Sequence, residues 1–181
     1  MSRVTINTAE ANLLAKSSGD QPVDLSMAIQ PKASSPTNGP DSITGTDGAD
    51  SISGLLGEDT IRGGGGNDTL DGGLSDDEIY GDDGDDSIDG GIGIDKLFGG
   101  SGNDRIAGGL DRDIIRGDDG NDTIDGGEGD DNLEGNEGDD SIDGGEGIDS
   151  LSGGNGNDIL NGGNGNEAPL LLVLPKSFRA F

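Results

Sequence analysis

Residues 117–134 read GDDGNDTIDGGEGDDNLE. The stretch states one nine-residue sentence twice: a glycine, a second glycine three residues on, an aspartate (Asp122, Asp131) and an aliphatic residue (Ile124, Leu133). Read outward in both directions, the same frame begins at Gly45 and recurs every nine residues to Gly153, thirteen times without an insertion or deletion. Position 1 is Gly, position 6 is Asp and position 8 is Ile or Leu in all thirteen. A degenerate frame precedes them (36–44, keeping Asp41 and Ile43), and a broken one follows (162–170, with Glu167 in place of Asp). Three columns held fixed over thirteen rows are not chance, and a short fixed period sets the organisation of the whole chain.

Each unit divides into a six-residue Gly/Asp loop and a three-residue segment with one apolar side chain. Alternation along a strand sends position 8 to one face and positions 7 and 9 to the other. The outward positions are mostly polar, as at Thr60, Arg62, Asp71, Ser87 and Asp89. Strands of three residues are too short to stand alone, so the reading requires many stacked copies.

The composition without this period would describe a disordered polyanion. Of 181 residues only 28% are hydrophobic and 2% aromatic, and the formal net charge is −28. Between residues 36 and 167 there are 35 acidic and 5 basic side chains, a net of 30 negative charges. Such a surface excludes non-specific binding to nucleic acid or to an anionic membrane, both of which need Lys and Arg. It invites cations. The chain has no cysteine and no histidine, which excludes disulfides, zinc–thiolate sites and histidine-based catalysis. The expectation is a non-enzymatic protein.

The units GGGGNDTLD (63–71), GGSGNDRIA (99–107) and GGNGNDILN (153–161) resemble the nonapeptide of RTX, or hemolysin-type calcium-binding, repeats. The resemblance covers residues 36 to about 167 and implies an all-β fold, a right-handed parallel β-roll with two nonapeptides per turn. It implies several calcium ions between stacked loops. Carried onto this chain, the metal ligands are the position-6 aspartates Asp50, Asp59, Asp68, Asp77, Asp86, Asp95, Asp104, Asp113, Asp122, Asp131, Asp140, Asp149 and Asp158, together with loop carbonyls. The loop glycines singled out are Gly63, Gly66, Gly81, Gly84, Gly99, Gly102, Gly117, Gly120, Gly135 and Gly138.

Calcium takes about six to eight oxygen ligands, more than one carboxylate supplies, so backbone carbonyls must make up the rest. Turning successive carbonyls toward one ion demands backbone angles that glycine adopts without strain, which gives positions 1, 2 and 4 a reason to be Gly. Without a divalent ion, the stacked carboxylates repel one another.

The flanks differ in character. Residues 1–35 read as a flexible extension, in which Asn7 to Glu10 has capping-box spacing and Ala9 to Lys16 has the length of a short helix. Residues 168–181, APLLLVLPKSFRAF, are apolar and basic, and read as a cap for the roll, a secretion signal, or a truncated end. The N-terminal stretch lacks the apolar run of a secretory leader, and LLLVL (170–174) is too short to span a bilayer. The resemblance implies an extracellular protein exported by a type I route without a cleaved N-terminal signal.

The leading expectation is thus a calcium-binding module that folds on meeting extracellular calcium. The alternative is the C-terminal roll of a larger secreted enzyme, toxin or adhesin, with any catalysis supplied by other residues. Ice binding would need a uniform Thr or Asn column, whereas position 7 mixes Ser, Thr, Glu, Lys, Arg, Ile and Asn. Two repeats per turn would also make the two sides unequal. Frames 81, 99, 117, 135 and 153 keep Gly at position 4, while on the other side Ser75 and Asp111 replace it and Leu74, Ile92, Ile94, Leu110 and Ile148 intrude. The first four of these form a candidate strip for self-association or for a protein partner.

Overall fold

A computed structural model describes residues 36–165. The readings of a helix within 9–16, of the extension over 1–35 and of a cap or signal over 168–181 lie outside the described residues. Within them every regular element is a strand, fourteen in all. One sheet holds β1 (Ser42–Thr44), β3 (Thr60–Gly65), β5 (Glu78–Asp83), β7 (Lys96–Ser101), β9 (Ile114–Asp119), β11 (Asn132–Glu137) and β13 (Ser150–Asn155), in that order. The other holds β2 (Ser51–Ser53), β4 (Thr69–Leu74), β6 (Ser87–Ile92), β8 (Arg105–Leu110), β10 (Thr123–Glu128), β12 (Ser141–Asp143) and β14 (Ile159–Asn161).

Every pairing is parallel and joins residues 18 apart, as in Ile61↔Ile79 and Ile106↔Ile124. Two nonapeptides therefore make one turn, and the described residues form a parallel β-solenoid of about seven turns. The position-8 residues from both sheets meet in one core, Ile43 through Leu151, with Leu160 packed against its end. Positions 7 and 9 point outward. The register also separates the two sides as the repeat count requires, frames 63, 81, 99, 117, 135 and 153 on one edge and frames 54, 72, 90, 108, 126 and 144 on the other.

The three-residue strand needs correction. Ten of the fourteen strands run for six residues, through positions 7–9 and on through positions 1–3 of the next unit, leaving a tight turn at positions 4–6. Glycine-rich segments have little strand preference of their own. Here the neighbouring turn templates them: Gly64↔Asp82 and Gly65↔Asp83 continue the ladder begun by Ile61↔Ile79.

Outside the first sheet, position 9 forms a ladder that the sequence reading did not identify. Tyr80 and Phe98, one turn apart, stack with centroids 4.9 Å apart, and Arg62 lies 3.8 Å over the Tyr80 ring. That ring spacing matches the strand spacing of about 4.8 Å, so the backbone register itself sets the stack. Arg116 continues the column and pairs with Glu134 at 3.1 Å.

Candidate metal centre: the aspartate ladder

Position 6 is where the turn enters the strand, and the register stacks the aspartates of each edge in a column. Asp59, Asp68, Asp77, Asp86, Asp95, Asp104, Asp113, Asp122, Asp131 and Asp140 are buried, and Asp50, Asp149 and Asp158 are half-buried near the ends. Within each column one carboxylate oxygen is structural. Oδ1 accepts the backbone N–H of the aspartate one turn earlier, at 2.7 Å for Asp59 to Asp77 and 2.8 Å for Asp104 to Asp122. The other oxygen has no such role. Oδ2 of eleven aspartates, from Asp59 to Asp149, is buried without a hydrogen-bond partner. Buried polar atoms are nearly always paired, so eleven orphans of one kind in equivalent positions call for a ligand.

The surroundings of those oxygens fit a cation. Position-1 glycines lie on the inner face of the strand. A Cβ built on Gly126 would lie 2.6 Å from Asp131 Oδ2 and 2.6 Å from the Gly144 carbonyl oxygen; on Gly72 it would lie 2.5 Å from Asp77 Oδ2 and 2.6 Å from Gly90 O. The same two neighbours recur at Gly63, Gly81, Gly90, Gly99, Gly108, Gly117 and Gly135. At each rung, a carboxylate oxygen and a carbonyl oxygen from the next turn come together on the inner face of the position-1 glycine. Among the described residues no three acidic side chains converge on a point. An ion held here would therefore draw most of its ligands from the main chain, an all-oxygen set that suits calcium rather than zinc or copper.

This geometry corrects one explanation for the glycines. Positions 2 and 4 do carry left-handed backbone, for example Gly64 (φ 105°), Gly66 (98°), Gly84 (136°), Gly102 (136°), Gly120 (139°) and Gly138 (132°). Position 1 does not: Gly63, Gly81, Gly99, Gly117 and Gly135 have no left-handed φ. They are glycine because a side chain would occupy the volume between Oδ2 and the neighbouring carbonyl.

The fully buried carboxylates, Asp59 through Asp140, are also hard to ionise. Burial, partly offset by the Oδ1 hydrogen bond and reinforced by repulsion from other aspartates, pushes Asp113 up to about 8 and Asp77 and Asp104 to about 7. Asp86, Asp95, Asp122 and Asp131 are raised to about 6, mainly by burial. A divalent cation beside Oδ2 would reverse the balance by favouring the charged form.

The first two frames are different. Asp50 Oδ2 accepts hydrogen bonds from the Thr46 N–H at 2.6 Å and the Thr46 hydroxyl at 2.8 Å, and Asp41 Oδ2 is held by Thr37 in the same way. Threonine stands at position 2 only in these two frames, a signal legible in the sequence itself. Asp50 is thereby set apart from the eleven orphans.

The edges differ as well. On one, position 5 builds a continuous side-chain-to-backbone ladder through Asn67, Asp85, Asn103, Asn121, Asp139 and Asn157. On the other, only Asp76 to Ile94 and Asp130 to Ile148 make this bond among the described residues. There Ser75 and Asp111 occupy left-handed backbone, at φ 89° and 77°, where other frames place glycine.

A two-sheet parallel solenoid with a ladder of half-satisfied aspartates over main-chain carbonyls defines a nonapeptide-repeat roll built for cations. The sequence matches the RTX calcium-binding nonapeptide repeat in four copies, over residues 36–70, 62–97, 98–133 and 134–166, and the chain belongs to that family. It is a calcium-binding repeat module. No curated protein matches the chain.

Proposed function

We propose that the chain is a non-enzymatic module that is expanded at cytosolic calcium levels, leaves the cell by a type I route, and folds when extracellular calcium loads the ladder. The observation that carries this reading is the set of eleven buried, unpartnered Oδ2 atoms from Asp59 to Asp149. Folding buries them whether or not an ion is present, and an ion beside Oδ2 offsets both the desolvation and the mutual repulsion of the ionised carboxylates. The ligands are these Oδ2 atoms together with position-1 carbonyls such as Gly90 O and Gly144 O. Extracellular calcium modules work at about 10⁻⁴ to 10⁻³ M, which separates the two sides of a cell membrane. The lack of cysteine suits a chain that crosses unfolded and is held by metal rather than disulfides. Under the same reading, the aliphatic strip at Leu74, Ile92, Ile94 and Leu110 is a contact surface.

The test is far-ultraviolet circular dichroism and hydrodynamic radius at about 1 mM calcium and in chelator. A cooperative gain of β signal with compaction is expected. A radius unchanged by chelation would overturn calcium-driven folding.

A further inference from the structure

The column at position 3 carries an apolar feature that the calcium ladder does not use. On the edge of frames 54, 72, 90 and 108, Leu56 pairs with Leu74, Leu74 with Ile92 and Ile92 with Leu110. These four are 39–44% exposed, and the next rungs of the same column are Glu128, Glu146 and Asn164. On the opposite edge, the column holds Gly65, Asp83, Ser101, Asp119, Glu137 and Asn155. The position-3 apolar strip is therefore confined to one edge and to its first four rungs, with Leu55 and Ile94 exposed beside it.

Its dimensions point to the occupant. Four rungs about 4.8 Å apart make a strip of about 14 Å. A specific interface between folded partners needs about 800 Å² on each, more than one four-residue column offers. A second copy would also bring another strongly acidic roll alongside the first. What fits is a short, apolar, positively charged segment, and the chain contains one. Residues 170–174 read LLLVL, Lys176 and Arg179 follow, and no acidic residue occurs after Glu167. The roll delivers this segment to the correct edge. Asn164 pairs with Glu146 in the strip's own column, three rungs beyond Leu110. Those three rungs span about 14 Å. The five residue-to-residue steps from Gly165 to Leu170 reach about 17 Å, and extended Leu170 to Leu174 covers about 13 Å.

We propose that residues 170–174 fold back along this edge and cover Leu110, Ile92, Leu74 and Leu56. Lys176 and Arg179 then lie toward Glu58 and Asp76, which are exposed beside the strip. The proposal rests on the contact-surface reading of the strip given above.

The absence of cysteine makes a clean test. Leu172→Cys is combined in turn with Leu74→Cys, Ile92→Cys, Leu110→Cys and, as the roll-end alternative, Ile159→Cys on the last strand. Each pair is oxidised at low protein concentration in saturating calcium and read by mass and non-reducing gel. A disulfide needs Cα atoms within about 7 Å. An intramolecular disulfide with at least one strip position, and none with Ile159→Cys, is expected. Preferential bonding to Ile159→Cys would mean that the tail covers the end of the roll. Disulfide-linked dimers would mean a second copy on the strip, and free thiols throughout would mean no docking; each overturns the proposal.

Hydrogen exchange on the cysteine-free chain supplies a second reading. Amides of residues 171–174 should be protected about tenfold or more in calcium, and the protection should vanish in Leu74→Ser/Ile92→Ser/Leu110→Ser. Unprotected amides in the parent chain overturn the fold-back. The calcium response of circular dichroism, recorded alongside, separates the two readings: a retained response without tail docking removes the fold-back alone, and a lost response removes calcium-driven folding.

Discussion

Asp113 holds Asp95 with one carboxylate oxygen and leaves the other unused. Its Oδ1 accepts the Asp95 backbone N–H at 2.9 Å, while its Oδ2 is buried without a partner. The side chain thus serves two tasks that substitution can separate. Asparagine at this position keeps the accepting oxygen and replaces Oδ2 with an amide nitrogen that cannot ligate a cation. Alanine removes both.

Asp113→Asn and Asp113→Ala should each lower calcium stoichiometry and raise the midpoint of the calcium titration. The alanine variant should be the less stable of the two by about 1 kcal/mol, the net value of the lost hydrogen bond. Isothermal titration calorimetry and thermal melts in saturating calcium measure both quantities. Identical melts for the two variants would remove the structural role assigned to Oδ1.

The raised pKa values predict that protons and calcium compete. Burial in the roll pushes Asp113 up from the ordinary carboxylate value of 3.8 to about 8, and Asp77 and Asp104 to about 7. The metal-free roll therefore holds protons that the unfolded chain has released. These groups favour folding fully below about pH 4, and the contribution is lost as pH rises through about 6 to 8. In chelator, the chain should show more β signal at about pH 5 than at pH 8. In calcium the dependence should reverse, with the titration midpoint rising as pH falls. A metal-free chain equally unstructured at both values would remove the proton-linked part of this account.

The period made much of this molecule legible. Ile124 and Asp122 belong to columns that never break, and a column needs no knowledge of its neighbours to be recognised. What escaped depends on contacts 18 residues apart. The six-residue strands exist because Gly64 and Gly65 are paired by the next turn, not because glycine favours a strand. Gly99 is needed for the room between Asp104 Oδ2 and Gly117 O, which only the stacked geometry reveals. The Arg62, Tyr80 and Phe98 stack likewise becomes visible once the turn length is known. Thr46 could have been found from the sequence, since a hydroxyl four residues before a turn aspartate is positioned to bond it.

The centre of the array should be more sensitive than its edge. Asp122 is buried with an unpartnered Oδ2, and its Oδ1 holds Asp104, whereas Asp41 is half-buried and both Oδ2 contacts come from Thr37. Asp122→Ala removes a ligand oxygen with neighbours on both sides, and Asp41→Ala removes a local turn bond. The calcium midpoint should shift several-fold for the first and little for the second. Equal shifts would count against stacking between neighbouring turns.

Two glycines separate the room requirement from glycine content as such. On Gly99, an added Cβ would meet Asp104 Oδ2 and come within 2.6 Å of Gly117 O, filling the volume assigned to the ion. On Gly65, the nearest atom to an added Cβ is the Asp47 Cα at 3.5 Å, an ordinary contact, and the backbone is not left-handed. Gly99→Ala should destabilise the calcium-loaded roll by about 1–3 kcal/mol through overpacking and should lower calcium stoichiometry. Gly65→Ala should keep full stoichiometry and leave stability unchanged or raised by about 0.4–1 kcal/mol, because alanine restricts the unfolded chain. Melting curves in calcium and calorimetric stoichiometry on the two variants decide the matter. If Gly99→Ala retained every site, the ions would have to lie away from the position-1 glycines, and the carbonyls of Gly90 and Gly144 would lose their assignment as ligands.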